Sequence, residues 1–204
     1  MDLLNSSDAG SVLTDRFKNV LVFDYGAGTC DLSLVKARFN PDNANGLEVI
    51  NLAISPYQKL GGDDVDRAVM QQVVWPQIAT ETERAVLTAD ERRLVEDTLT
   101  GTVARGLKER MCRSMEVRLR EQGGASPAAS RISETYALEP RFSIGSLKSQ
   151  TPTQFRMTAS EFALVMKPFV AVPTPGSGEA AQSLLTPVLR TLERAGLRDR
   201  KSVV

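Results

Sequence analysis

The chain has 204 residues, 42% hydrophobic and 25% charged, which fits one large or two small globular domains and excludes a disordered or fibrous polymer. Its 25 basic residues balance 25 acidic ones, which argues against broad electrostatic capture of nucleic acid or of an acidic membrane surface. Histidine is absent, so imidazole triads, His-ligated zinc and a histidine general base are excluded.

Residues 1–19 are polar, without the basic and apolar regions of a secretory signal, and read as a lead-in segment. Val20-Leu21-Val22-Phe23 reads as a short buried strand. Asp24–Asp31 interrupts it with two glycines, and the alternation from Leu32 to Arg38 gives a second strand. A turn over Asn40–Gly46 and renewed alternation over Leu47–Ser55 complete a three-stranded meander. Gly61-Gly62 opens a helix to about Gln77, with Asp63, Asp64 and Asp66 in its early turns, where acids favour the positive end of the dipole. Thr88-Ala89-Asp90-Glu91 is a capping box. The helical tract after it has an apolar residue every four positions: Val95, Leu99, Val103, Leu107, Met111, Met115 and Leu119. That spacing drifts about 40° per step on an ideal helix, so the stripe wraps or the helix bends near Gly101 or Gly106. A loop at 123–130 and short strand-like pieces over 131–157 follow. Thr158-Ala159-Ser160-Glu161 caps another helix reaching Met166, and VPTPGSG at 172–178 is a linker. A last amphipathic helix carries Leu184, Leu185, Val188, Leu189 and Leu192, with Pro187 marking its first turn or a kink. No apolar run approaches the roughly 18 residues of a membrane helix. Cys30 and Cys112 form no pair motif and read as free thiols, which sets the expectation of a cytoplasmic protein.

The segment VLVFDYGAGTCDLSLV, residues 20–35, is the one that suggests chemistry. Gly26 and Gly28 let backbone N–H groups approach an anion closely. The Thr29 hydroxyl can donate to a phosphate oxygen. Asp24 and Asp31, flanking the turn, can hold a hydrated magnesium, which prefers oxygen ligands and keeps several waters. The same residues also suit a hairpin whose Gly and Asp only shape the turn.

This segment resembles the second phosphate motif of the DnaK-type heat-shock chaperones, members of the actin-like ATPase superfamily, whose pattern is D-x-G-G-G-T-x-D. Asp24, Gly26, Gly28, Thr29 and Asp31 match it, Ala27 replaces the middle glycine, and Cys30 replaces a usual Phe. KLGGDDVDRAV, residues 59–69, is similar to the family's L-G-G-x-D-F-D. GLKERMCRSMEVRL, residues 106–119, resembles the adenosine-contacting helix with its pattern E-x-x-K-R-x-x-S: Glu109 and Arg113 match, whereas Cys112 stands for Lys and Glu116 for Ser. LLTPVLRTLERAGL, residues 184–197, is similar to the helix before the family's last nucleotide loop. The four motifs lie in family order across nearly all of residues 18–197.

The resemblance implies an α/β fold: an incomplete actin-like ATPase (ribonuclease H-like) lobe with an inserted helical/β subdomain. Residues 20–62 would be the meander with its phosphate loop, 63–160 the subdomain, mostly helical then β, and 161–198 the helices returning to the lobe. It implies ATP or ADP with magnesium as cofactors. Asp24 and Asp31 would position the metal and the attacking water. Gly26, Ala27, Gly28 and Thr29 would cradle the phosphates, Gly61 and Gly62 would approach the nucleotide by backbone, and Glu109 and Arg113 would flank the adenosine. Asp24, Thr29 and Asp31 would be the catalytic set, acting by positioning and electrostatics. The composition offers the bland alternatives of helix-terminal acids for Asp63, Asp64 and Asp66 and a surface i, i+4 ion pair for Glu109 and Arg113. Cys112, Glu116 and Ala27 weaken the expected site, and Trp75 and the helix methionines read as core.

The family's first phosphate loop, catalytic Lys and adjoining Glu would precede residue 1, and its last nucleotide loop would follow residue 197. The partners implied are therefore a nucleotide, the missing first lobe, a peptide-binding domain, client proteins and co-chaperones, with neither nucleic acid nor membrane. The isolated chain is expected to be inactive as an ATPase. The segment 199–204, DRKSVV, coincides with the translation of a widely used sequencing adapter up to its stop codon. It is accordingly expected to be a non-native tail, with Met1 an internal methionine of a longer frame. Two rivals stay open: a sugar-kinase-type relative with a similar phosphate loop, and a scaffold of the same fold that has lost its nucleotide.

Overall fold

The structure, a computed structural model, describes residues 13–43, 46–56, 58–121, 132–138, 152–172 and 183–197. The expected loops at 123–130 and 173–178 and the tail at 199–204 lie outside the described residues. The chain divides into two compact units, one of residues 1–61 with 169–204 and one of residues 62–168.

In the first unit, β1 (Lys18–Tyr25), β2 (Cys30–Phe39) and β3 (Leu47–Ile54) form the expected antiparallel meander in the order β1-β2-β3. The turn into β3 relies on Gly46, whose φ of 63° is a conformation few L residues adopt, and on Asn40 and Asn43, whose side chains bond Asp42 N–H and Leu47 O. Alternation along β2 buries Leu32 and Leu34 on one face and Val35 and Ala37 on the other, and opposite Leu34 and Val35 the register shifts by one extra residue, Leu52, in β3. Helix α7 (Leu185–Arg194) packs on β2 and β3. β1 is a strand but not the buried one expected: Leu21, Val22 and Phe23 are 39%, 47% and 43% exposed. Apolar side chains on both faces suit a central strand; here β1 is an edge, and α7 sits over its neighbours instead.

In the second unit, α1 (Gly62–Val69) continues through a π-helical turn (Met70–Val74) into α2 (Trp75–Ile78). A short α3 (Glu81–Ala85) follows, then α4 (Ala89–Leu99), a second π-helical turn (Thr100–Ala104) and α5 (Arg105–Glu121). Both expected features of this tract resolve into one. The four-residue spacing is accommodated by a π turn that contains Gly101, whose i→i+5 bonding absorbs the drift. Val95, Leu99, Val103, Leu107 and Met111 therefore all stay on one face, completely buried, while Met115 is half-buried and Leu119 exposed. The first helix obeys the same rule: Val65, Val69 and Val73 are buried, as are Met70, Val74 and Ile78, and the two π turns touch. Gly106 serves packing rather than bending, because a Cβ there would strike the Tyr136 ring.

Thr88 and Glu91 form the expected capping box, and Thr80 with Glu83 adds a second that begins α3. A two-stranded sheet of β4 (Ser133–Ala137) and β5 (Gln154–Thr158) packs on these helices, with Phe155 and Met157 buried. Its edges are covered by side chains: Gln77 bonds both the N–H and the C=O of Arg156, and Arg110 donates to Thr135 O. Thr158 and Glu161 then cap α6 (Ala159–Val170), which runs past Met166 and accommodates Pro168 in its last turn.

Back in the first unit, α7 (Leu185–Arg194) has Pro187 in its first turn and ends on Gly196, φ 68°, with Leu197 N–H bonded to Leu192 O. Its inward face differs from the expected leucine stripe. Thr186, Pro187 and Thr191 are buried, the Thr191 hydroxyl satisfied by Pro187 O, and Leu184, Leu185, Val188, Leu189 and Leu192 are half-buried. Arg194 donates to Ile54 O, covering the end of β3. Among the described residues no helix is long and apolar enough to cross a membrane.

Candidate functional site

The turn between β1 and β2 is closed by a bond from Gly26 N–H to Thr29 O, 2.9 Å. Tyr25 pairs with Cys30 and Asp24 with Asp31 in the ladder. Directly opposed residues share a sheet face with Cβ atoms roughly 4.5–5.5 Å apart, so the two carboxylates stand side by side, both exposed. Like charges so placed are unfavourable unless a cation neutralises them. They also act on the neighbouring Cys30: burial is the main cause that raises its thiol pKa, followed by the Asp31 and Asp24 charges. Cys30 is fully buried, so its thiol is a packing group and not a nucleophile.

The turn glycines are not there for backbone strain. Among the described residues only Gly46 and Gly196 have positive φ, so Gly26, Gly28 and Ala27 lie in ordinary conformations and the Ala27 methyl fits without cost. A Cβ at Gly28 would meet nothing within 4 Å. The N–H groups of Ala27, Gly28 and Thr29 meet no acceptor among the described residues. Gly61 is different. A Cβ there would run into Ala27 O and lie 2.6 Å from Ala27 C and 2.7 Å from Gly28 C, so the backbone at Gly61 rests directly on the turn. Cys30 N–H, bonded to Gln58 O at 3.1 Å, holds this approach from one side. The structure thus brings together Asp24, Gly26, Ala27, Gly28, Thr29, Asp31 and Gly61 in one unit.

Gly62, Glu109 and Arg113 belong to the second unit. Glu109 and Arg113 are exposed, and no ion pair joins them, so the surface-pair alternative fails. Glu116 is taken by Arg120 at 2.6 Å. Cys112 is exposed at its residue surface, and its thiol pKa is raised, chiefly by desolvation.

The acids at the start of α1 divide three ways. Asp64 pairs with Arg67 at 2.7 Å, the ordinary surface role expected for all three. Asp63 reaches Arg105 at 2.9 Å. Asp66 departs from expectation: it is 1% exposed and accepts from Arg105 Nε at 3.1 Å. Lys108 Nζ stands 2.7 Å from its other oxygen, out of line for a hydrogen bond, while donating to Gly62 O at 3.1 Å. The bond from Asp66, then its charge, raises the Arg105 pKa. This cluster fixes Gly62 against α5. The sequence did contain a signal for it, since Val65, Asp66, Val69 and Met70 occupy the spacing of one buried face.

A second feature not foreseen is an open polar hollow of about 300 Å³ lined by Gln71, Trp75, Glu81, Arg84, Arg92 and Glu96. Glu96 accepts from Gln71 and from the Trp75 indole, and the Arg84 guanidinium lies 5.9 Å above the Trp75 ring. Trp75 itself is core, as expected.

No protein-family model matches the chain, and no curated protein matches it.

Proposed function

We propose that the chain is part of the second lobe of a DnaK-like chaperone ATPase, and that its β1–β2 turn holds the phosphates of ATP or ADP with magnesium. The observation that carries this reading is the turn itself: two opposed carboxylates, three successive N–H groups that meet no acceptor among the described residues, and open space in front of Gly28. Neither turn glycine answers to a positive φ or to a close neighbour, so a hairpin's own needs do not account for them. An anion approaching the backbone does.

Magnesium would supply charge neutralisation of the terminal phosphates. Asp24 and Asp31 offer it oxygen ligands from adjacent strands, in keeping with a cation that uses one or two carboxylates and keeps its waters. Thr29, half-buried, would donate its hydroxyl to a phosphate oxygen. Ala27 to Thr29 present backbone dipoles to developing negative charge without reorganising. Gly61, pressed on Ala27 and Gly28, keeps the turn in this shape. Glu109 and Arg113 would hold the nucleoside.

The purified chain is expected to bind MgATP weakly and to hydrolyse none, because the rest of the cleft belongs to other parts of the parent. Titration followed by amide chemical shifts tests this. Shifts at Ala27, Gly28 and Thr29 that require magnesium and vanish in Asp31→Asn support the reading. An unmoved turn at saturating MgATP, in the chain and in a full-length parent, overturns it.

A further inference from the structure

The polar hollow between the first π turn, α3 and α4 lies wholly in the second unit, and the nucleotide reading makes no use of it. Two bases, Arg84 and Arg92, and two acids, Glu81 and Glu96, line it. Glu81 with Arg84 and Arg92 with Glu96 have the helical spacing at which opposite charges pair, yet among the described residues no ion pair engages any of the four. Their hydrogen-bonding capacity is mostly unused. Glu96 takes Gln71 at 2.7 Å and the Trp75 indole at 3.2 Å on one oxygen, Oε1, and its Oε2 has no partner among the described residues. Arg92 gives one long bond, 3.4 Å, to Ala85 O. The Arg84 guanidinium donates to no described residue; it rests over the Trp75 ring, and its Nε is shut off from water without an acceptor. A shielded donor left without an acceptor is unfavourable and calls for an explanation.

We propose that the hollow binds a free α-amino acid, its carboxylate held by Arg84 and Arg92 and its ammonium by Glu81 and Glu96. The four lining charges sum to zero. An anion alone would face two carboxylates, and a cation alone two guanidinium groups. A zwitterion meets each sign with its opposite. Guanidinium binds carboxylate through two parallel N–H bonds. For Arg84 one such pair uses Nε with one Nη, so a carboxylate that draws the guanidinium off the ring gives the shielded donor its acceptor. The free Oε2 of Glu96 is placed to accept from the ammonium. A volume of about 300 Å³ stands at the lower end for small-molecule sites and suits a ligand of this size. The proposal does not depend on nucleotide binding, and no nucleotide enters its test.

Trp75 is the only tryptophan of the chain, so its fluorescence reads this hollow alone. Titration of the purified full chain with glycine, L-alanine and L-glutamine is expected to give a saturable change in Trp75 emission and a shift of the Arg84 Nε–H magnetic resonance signal. Propionate and ethylamine, which are alanine without its ammonium and without its carboxylate, are each expected to bind about tenfold more weakly than alanine or worse. Arg92→Gln and Glu81→Gln weaken alanine binding by about tenfold. Arg93→Gln, at a residue that pairs with Asp97 and does not line the hollow, leaves it unchanged. Should a variant fail to fold, the ligand series on the parent chain decides. Propionate or ethylamine binding as tightly as alanine overturns the proposal. So does the absence of change in both signals up to about 10 mM amino acid, or alanine binding that a folded Arg92→Gln chain retains in full.

Discussion

The two sheets of this protein handle their edges in opposite ways. The β4–β5 hairpin is small, yet a glutamine amide covers one edge and an arginine the other, and its inward residues Phe155 and Met157 are fully buried. The three-stranded meander is larger and carries the more apolar strands, yet Leu21, Val22, Phe23 and Ile54 remain in water. Strand pattern records what a segment is made to bury, and neighbours decide whether it does so. A helix brings its own hydrogen bonds and needs only one covered face. An apolar edge strand needs a second strand as well.

The sharpest way to test that contrast is a pair of matched truncations. Leu107→Ala removes a fully buried side chain from the helical face and is expected to cost about 2–5 kcal/mol in urea denaturation. Leu21→Ala, at an exposed site, is expected to change monomer stability by no more than about 0.5 kcal/mol. Equal losses at the two sites would refute the contrast. Asp66→Asn comes next. It strips Arg105 and Lys108 of a buried counter-charge, and because the Arg105 left behind is 45% exposed and solvated, the expected loss falls below the roughly 3–5 kcal/mol of a fully buried pair. A thermal melt within error of the parent would return Asp66 to the ordinary helix acids.

Glycines give a finer comparison. Gly61→Ala forces a methyl into the backbone of Ala27 and Gly28 and is expected to destabilise by about 1–3 kcal/mol. Gly28→Ala meets open space and is expected to leave the melting temperature unchanged while abolishing the magnesium-dependent nucleotide shifts. The smallest effect concerns pH. Hydrogen bonds from Thr80, first its backbone N–H and then its hydroxyl, hold the Glu83 pKa below the ordinary glutamate value. A depressed folded pKa gives stability that is complete above the unfolded value, about 4.3, and lost as pH falls through the folded one. Glu83→Gln should therefore flatten a small part of the acid limb of the melting curve. An identical limb in both proteins would show the bond to be worth nothing in solution.

Much of the architecture was legible before any coordinates. The three meander strands, the capping boxes at Thr88 and Thr158 and the helix from Gly62 rest on local rules: alternation, a Thr–Glu pair three apart, and glycine before acids. The four-residue stripe announced an irregular helix but not which irregularity, because drift can be met by wrapping, kinking or adding a residue to a turn. Burial of β1 was misread because an apolar tetrapeptide records a need, not its fulfilment. Asp66 was misread because its partners lie 39 and 42 residues away, at Arg105 and Lys108, and no local pattern links them. For the candidate site, the sequence supplied the turn and its two acids. Their alignment as a cross-strand pair and the contact of Gly61 with Ala27 came only from the fold.

The π turn at Thr100–Ala104 has a consequence of its own. An extra residue in a helical turn is also a residue that can be taken out. Deleting Gly101, whose α-carbon faces open space, would let α4 and α5 join as one regular helix. The π turn takes that residue up by widening, so its removal would leave Arg105 onward facing as before, with Gly106 under Tyr136 and Lys108 beside Gly62. The irregularity is thus confined to one turn, and the long-range contacts of the second half of the helix do not depend on it.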